Sequence, residues 1–167
     1  DYLASLEIEI TIFKAEEIHL MRMAQMTQKT NQFNLRTQRY TEEDLRQKIK
    51  EGSHLYVANI KDKFGDSGIS IACIIDENEK HLFLDTYLLS CRILGREIEK
   101  ITLLTIVKQL VESTGKTLDA EYIPTRKNAM AKEFLEQVGF QLKDENVTGV
   151  KQYKFNQEQS IDIKNYY

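Results

Sequence analysis

Residues 82–112 constrain the fold more than any other part of the chain. They open as an apolar and aromatic strand, LFLDTYLL, and pass through a short polar turn at 90–96. They resume as a helix with Ile98, Ile101, Leu104, Val107, Leu110 and Val111 near the 3.6-residue period. A turn that ends a strand and opens a helix collects backbone N–H groups with no partner inside the helix. Those donors and the positive end of the helix dipole suit a phosphate or pyrophosphate. Gly95 lets the backbone approach closely, Arg92 and Arg96 add positive charge, and Ile93 and Leu94 contribute amides. Cys91 stands in the same turn, where the two guanidiniums and the helix end would favour its thiolate.

The flanking sequence supplies a sheet around this unit. Residues 5–13 alternate as a strand, and a helix follows from Glu16 to about Gln25, with Ile18, Met21 and Met26 expected on or near its buried face. Thr41 is placed to cap a second helix that carries Glu42, Glu43 and Asp44 in its first turn. Tyr40 and Leu45 are spaced for a hydrophobic staple, and Gly52 stops the helix. Residues 54–60, 68–75 and 82–89 are period-2 runs separated by turn residues, which predicts an antiparallel meander. Cys73 lies inside the second run and reads as a buried small apolar side chain. Gly115 ends the central helix, and residues 117–123 form a strand parallel to 82–89, as a strand–helix–strand crossover requires. A helix over 128–139, capped by Asn128 or Thr125 and burying Met130, Ala131, Phe134, Leu135 and Val138, leads to a final hairpin. The expected architecture is α/β (α+β): one mixed, mostly antiparallel sheet with helices on both faces and a single domain over 1–167. Ligands in such sheets sit where neighbouring strands diverge, at their carboxyl ends.

Composition narrows the function. A net charge of −3 argues against a generic nucleic-acid surface. No apolar run has the length of a membrane span, and two cysteines make neither a disulfide framework nor a zinc motif. These features point to a cytoplasmic protein with no metal and no membrane or nucleic-acid partner. A start at Asp1 suggests a piece of a longer protein.

Residues 28–41 are polar and without period. Thr30, Asn31, Gln32 and Asn34 cluster around Phe33 and are either a loop satisfied by its own amides or a polar wall for a substrate. In the strand before the turn, alternation places Asp85 and Tyr87 on one face, and Asp85 is a candidate to accept a proton or bind hydroxyls. His54 and His81 are further possible bases.

The element order, with Arg92-x-x-Gly95 after the fourth strand and Asn128-x-x-Ala131-x-x-Phe134 followed by Gly139-Phe140, resembles the GNAT acyltransferase fold. In that family the turn binds the pyrophosphate of acetyl-CoA. Glu97 stands here where the pattern has a small residue, and Leu135 where many members carry a tyrosine acid. A closer resemblance spans residues 2–142. Residues 27–34 (Thr27 to Asn34), Arg39-Tyr40-Thr41, 61–66 (Lys61 to Asp66), 88–96 (Leu88 to Arg96) and 121–125 (Glu121 to Thr125) together resemble the C-terminal part of FkbH-like proteins. That family joins a HAD-type phosphatase domain to a GNAT-like domain and is associated with loading a glyceryl unit from 1,3-bisphosphoglycerate onto an acyl carrier protein for methoxymalonyl-type polyketide extender units. The HAD aspartate signature is absent from this chain.

The resemblance implies an acyltransferase domain that works with the phosphopantetheine of an acyl carrier protein, or with coenzyme A. It implies an adjoining HAD-type phosphatase domain as a partner. Cys91 and Asp85 would be catalytic. Arg92, Ile93, Leu94, Gly95, Arg96 and Asn128 would bind the cofactor, and Thr30, Asn31, Gln32, Asn34, Glu121 and Tyr122 the substrate. The competing expectations are a CoA-dependent N-acetyltransferase and a non-catalytic docking module for a carrier protein.

Overall fold

The computed structural model describes residues 7–90 and 97–156. Strand β1 (Glu9–Lys14) and helix α1 (Glu17–Lys29) are followed by a two-residue strand β2 (Phe33–Asn34) and helix α2 (Glu42–Lys50). The meander β3 (His54–Asp62), β4 (Gly65–Glu77) and β5 (His81–Leu89) comes next. After it are α3 (Ile98–Thr114), β6 (Thr117–Tyr122), a short 3-10 turn, α4 (Phe134–Val138) and the hairpin β7 (Phe140–Glu145) and β8 (Lys151–Phe155). The main sheet runs β1-β3-β4-β5-β6-β8-β7, with β2 attached to β5. The β5–β6 pair is parallel, as its helical crossover demands, and the meander is antiparallel.

Period-2 alternation distributes the strands' apolar residues to two cores. On one face Leu55, Val57, Ala72, Ile74 and Leu88 meet Leu20, Met23 and Met26 of α1 and Leu45 of α2. On the other, Ile71, Cys73, Ile75, Leu82 and Leu84 meet Leu103, Leu104 and Val107 of α3 and Phe134, Leu135 and Val138 of α4. Each of these fully buried aliphatic side chains contributes about 1.5–3 kcal/mol relative to exposure. α2 starts where Thr41 accepts a hydrogen bond from the Asp44 amide while the Asp44 carboxylate accepts one from the Thr41 amide, a reciprocal cap.

Three local expectations fail. The buried face of α1 is Leu20, Met23, Ala24, Met26 and Thr27, so Ile18 and Met21 lie 81% and 63% exposed. The helix expected over 128–139 breaks into a 3-10 turn at Ala129–Ala131 and the five-residue α4, with Met130 exposed. Phe134 packs between the rings of Phe33 (4.8 Å) and Tyr87 (5.7 Å), and this contact with β2 and β5 fixes where the last turn can run. The third failure is β2 itself, which lies in a run that carries no strand pattern.

Candidate functional site

β5 and β6 pair only through residues 81–84 with 117–120. Beyond Leu84 and Ala120 the two strands part. At the same point the β4–β5 register shifts: Ile75 faces Leu84 and Ile74 faces Thr86, so Asp85 is an extra residue in β5. Such a bulge bends a strand and turns consecutive side chains to one side. Tyr87 therefore points into the α3 core, where its hydroxyl donates to the Glu99 carbonyl (2.7 Å). Asp85 turns instead toward Arg36, Tyr40 and Lys48. The two do not share a face, as unbroken alternation would have it.

The chain fills the gap between the parted strands with its own residues 33–36. Phe33 and Asn34 pair antiparallel with Leu89 and Leu88 on the edge of β5 that β6 has left. The Ile123 amide donates to the Leu35 carbonyl (2.9 Å), joining the insert to the end of β6. Arg36 closes the base of the gap. Its Nε donates to Glu121 Oε1 (2.9 Å), and its Nη1 donates to both the carbonyl and the carboxylate of Asp85 (3.0 and 3.1 Å). Its guanidinium also lies 4.8 Å over the Phe83 ring. The remaining Asp85 oxygen accepts from the Tyr40 hydroxyl (2.7 Å) and the Thr86 hydroxyl (2.8 Å). Burial and the bond to Asp85 push the Tyr40 hydroxyl well above its ordinary pKa.

These contacts revise several expected roles. Asp85 has both carboxylate oxygens committed to the fold, so its geometry is that of an anchor rather than a proton acceptor. Glu121 is held between Arg36 and Gln152. Tyr122 is buried, and its hydroxyl donates to Asn128 Oδ1 (3.1 Å). Asn34 and Asn128 are fully buried. Asn34 donates to the Thr30 carbonyl and accepts from the Thr37 amide. Asn128 donates to the carbonyls of Asn34 and Ile123 (2.9 Å each) and accepts from the Thr125 amide (2.8 Å). Together the two amides pin the insert to the loop after β6. Asn128 does not cap a helix with its side chain.

Above the insert, at the carboxyl end of β5, lies a cavity of about 760 Å³. Thr30, Asn31 and Gln32 line it, together with Ser90 and the buried Met26. Its remaining lining is cationic: Arg22 and Lys29 from α1, Arg126 and Lys127 from the loop after β6. Pattern reading missed these four because they are separated in sequence by up to about a hundred residues and each looks like an ordinary surface charge. Cys91, Arg92, Ile93, Leu94, Gly95 and Arg96 lie outside the described residues. The flanks of that turn are described: Ser90 ends β5, and Glu97 begins α3 with φ +65. This is a left-handed conformation that favours glycine. Glu97 adopts it under strain. In the first turn of the same helix, Glu99 is buried with Oε2 lacking a hydrogen-bond partner among the described residues, and burial raises its pKa.

The other candidates lie elsewhere. His54 pairs with Glu77 (2.6 Å) and His81 with Thr117 (2.8 Å), both at the amino end of β5 and away from the cavity. Cys73 is wholly buried and its thiol pKa is pushed up by burial, consistent with an inert core residue. Among the described residues no group of three or more His, Cys, Asp or Glu side chains could hold a metal ion, and no helix is long and apolar enough to cross a membrane.

No family model and no curated protein matches the chain. Solved structures do. The ribosomal-protein-S18-alanine N-acetyltransferase of Escherichia coli aligns over 95% of this chain and 99% of its own, with a TM-score of 0.66 and 15% identity. The PaiA N-acetyltransferase of Thermoplasma acidophilum, solved in complex with coenzyme A, aligns over 89% and 99% with a TM-score of 0.60 and 17% identity. A mutant of the spermidine N-acetyltransferase SpeG of Vibrio cholerae aligns over 87% and 92% with a TM-score of 0.64 and 12% identity. The fold is that of the GNAT acetyltransferases.

Proposed function

We propose that the chain is an acyltransferase that takes its acyl group from a pantetheine thioester, with coenzyme A as the first candidate carrier. The observation that carries this reading is the parting of β5 and β6 at their carboxyl ends, beside Ser90 and the cavity, in a fold shared with N-acetyltransferases. When bound, such a thioester supplies a carbonyl carbon activated for acyl transfer. Arg92, Arg96 and the amides of Ile93, Leu94 and Gly95 would hold its phosphates. The first-turn N–H groups of α3, which have no partner within the helix, are the matching donors. β2 already occupies the β5 edge at Leu88 and Leu89. The acyl end is therefore directed past Ser90 into the cavity, whose wall includes Thr30, Asn31 and Gln32.

Glu97 provides the test. Glu97→Gly removes the left-handed strain and a carboxylate from beside the phosphates. It should stabilise the chain by about 1 kcal/mol and tighten coenzyme A binding in calorimetry. Coenzyme A that neither binds nor shifts the melting temperature, in the parent chain and in the variant, would refute the reading.

A second reading is favoured by the five FkbH-like segments and by Leu135. Leu135 is packed in the core where many N-acetylating members carry a tyrosine acid. Here the acyl group is a glyceryl unit and the acceptor is the phosphopantetheine thiol of an acyl carrier protein, with a HAD-type phosphatase domain adjoining this one. Cys91 would relay the acyl group. Its thiolate attacks the acyl carbon of an acyl phosphate, phosphate leaves, and the carrier thiol then displaces the Cys91 sulfur. An acyl adduct in intact mass spectra that vanishes in Cys91→Ala supports the relay; an adduct unchanged by that substitution removes Cys91 from it.

A further inference from the structure

We propose that the cavity at the carboxyl end of β5 binds the acyl acceptor, and that this acceptor carries a phosphate group. The proposal deepens the acyltransferase reading, on which it rests only for the word acceptor.

The charge of the wall is the first ground. The chain as a whole has 26 acidic and 23 basic residues, so a wall of average composition would carry at least as many carboxylates as cations. This one carries Arg22, Lys29, Arg126 and Lys127 and, among the described residues, no acid. Elsewhere in the fold, inward-facing cations reach carboxylates: Arg36 with Asp85 and Glu121, Lys48 with Asp76, Lys116 with Glu77, Lys151 with Glu136. The four cavity cations reach none among the described residues. Four like charges around one concave space repel one another, and a bound anion relieves that repulsion.

The chemistry between the cations fits a phosphate better than a simple carboxylate or halide. Thr30 and Ser90 supply hydroxyl donors, and arginine forks suit phosphate oxygens.

Position assigns the site to the second substrate. Arg22 and Lys29 project from α1, which packs on the sheet face opposite α3. The donor's phosphates are read above at the entry to α3. Arg22 and Lys29 thus lie across the sheet from the entry to α3, while Arg126 and Lys127 close the cavity from the loop after β6, and the part lined by α1 suits a second ligand. The same cations would repel a polyamine, so an acceptor of the spermidine type does not suit this chain.

The test is calorimetry with 4′-phosphopantetheine, pantetheine, coenzyme A and spermidine as probes. It uses the parent chain, Lys29→Glu/Arg126→Glu and the milder Arg22→Ala/Lys127→Ala, with melting curves to establish folding. The phosphate should tighten binding of phosphopantetheine over pantetheine by about tenfold or more, as expected of charge-assisted hydrogen bonds. That difference should collapse in the double reversal and shrink in the alanine pair. Coenzyme A affinity should stay within about threefold, since a few rim charges act on it only through screened distance. The proposal is overturned if the phosphate makes no difference, if the variants keep the full difference, or if spermidine binds the parent chain more tightly than phosphopantetheine. It is also overturned if coenzyme A affinity falls in parallel, because the cavity then holds the donor's own phosphates. Failure of the acyltransferase reading looks different: coenzyme A is ignored while the phosphate-dependent difference persists.

Discussion

Two cations, Lys29 and Arg36, sit a few residues apart along the chain and behave in opposite ways. Arg36 is sunk between β5 and β6 with its Nε bonded to Glu121 and its Nη1 to Asp85. Lys29, one helix end earlier, faces a cavity with Arg22, Arg126 and Lys127 and no carboxylate among the described residues. The first arrangement is structural: opposite charges fix the insert 33–36 in the gap. The second lacks such compensation and is available to a ligand. The lesson is that charge alone marks neither role; the presence or absence of a counter-charge separates them.

The contrast can be attacked from the structural side first. Arg36→Ala leaves Glu121 without a counter-charge and Asp85 with only Lys48, 3.8 Å away, and should cost about 3 kcal/mol in urea unfolding. A loss below about 1 kcal/mol would mean that the insert is held by β2 pairing alone. Of similar size is Asn128→Ala, which strips partners from two buried carbonyls and one amide and should cost about 3 kcal/mol. Native-state hydrogen exchange should then show residues 33–35 opening together with the loop after β6; unchanged protection there would break the link between them.

A smaller effect concerns the ion pairs at the amino end of β5. Hydrogen bonds from Lys116 and then His54 hold the Glu77 carboxyl below its ordinary pKa. A carboxylate with a depressed folded pKa stabilises the fold above its unfolded value, and that contribution fades as pH falls through the folded one. Between about pH 5 and pH 3 the stability curve of Glu77→Gln should therefore be flatter than that of the parent chain. Parallel curves would show that this pair is too exposed to matter. The smallest effect is the most telling. Lys29→Ala and Arg126→Ala should each change stability by less than about 0.5 kcal/mol, because neither side chain has a carboxylate partner among the described residues to lose.

Much of the fold is legible in the sequence, for identifiable reasons. Thr41 followed by Asp44, the period-2 runs of β3 to β5, and the spacing that makes β5 and β6 parallel neighbours are local signals that tertiary contacts left unchanged. The bulge at Asp85 is not legible, because an extra residue inside an apolar strand leaves the composition untouched while reversing the facing of what precedes it. The short strand β2 is equally hidden. Its pairing is supplied by the edge that β6 vacates, not by any propensity of Phe33 and Asn34. At the site, the polar run gave Thr30, Asn31 and Gln32 their place on the cavity wall. The same composition concealed that Asn34 faces inward to pin the backbone. The four cations were invisible as a group, since only the folded chain brings α1 and the loop after β6 to one concavity.

The most direct measurement is amide chemical-shift mapping of the labelled chain titrated with pyrophosphate. The account predicts saturable shifts at residues 29–32 and 126–127, with little change around Arg36 and Asp85. Shifts centred on Arg36 and Asp85, or none at residues 29–32 and 126–127, would contradict the division between compensated and uncompensated charge.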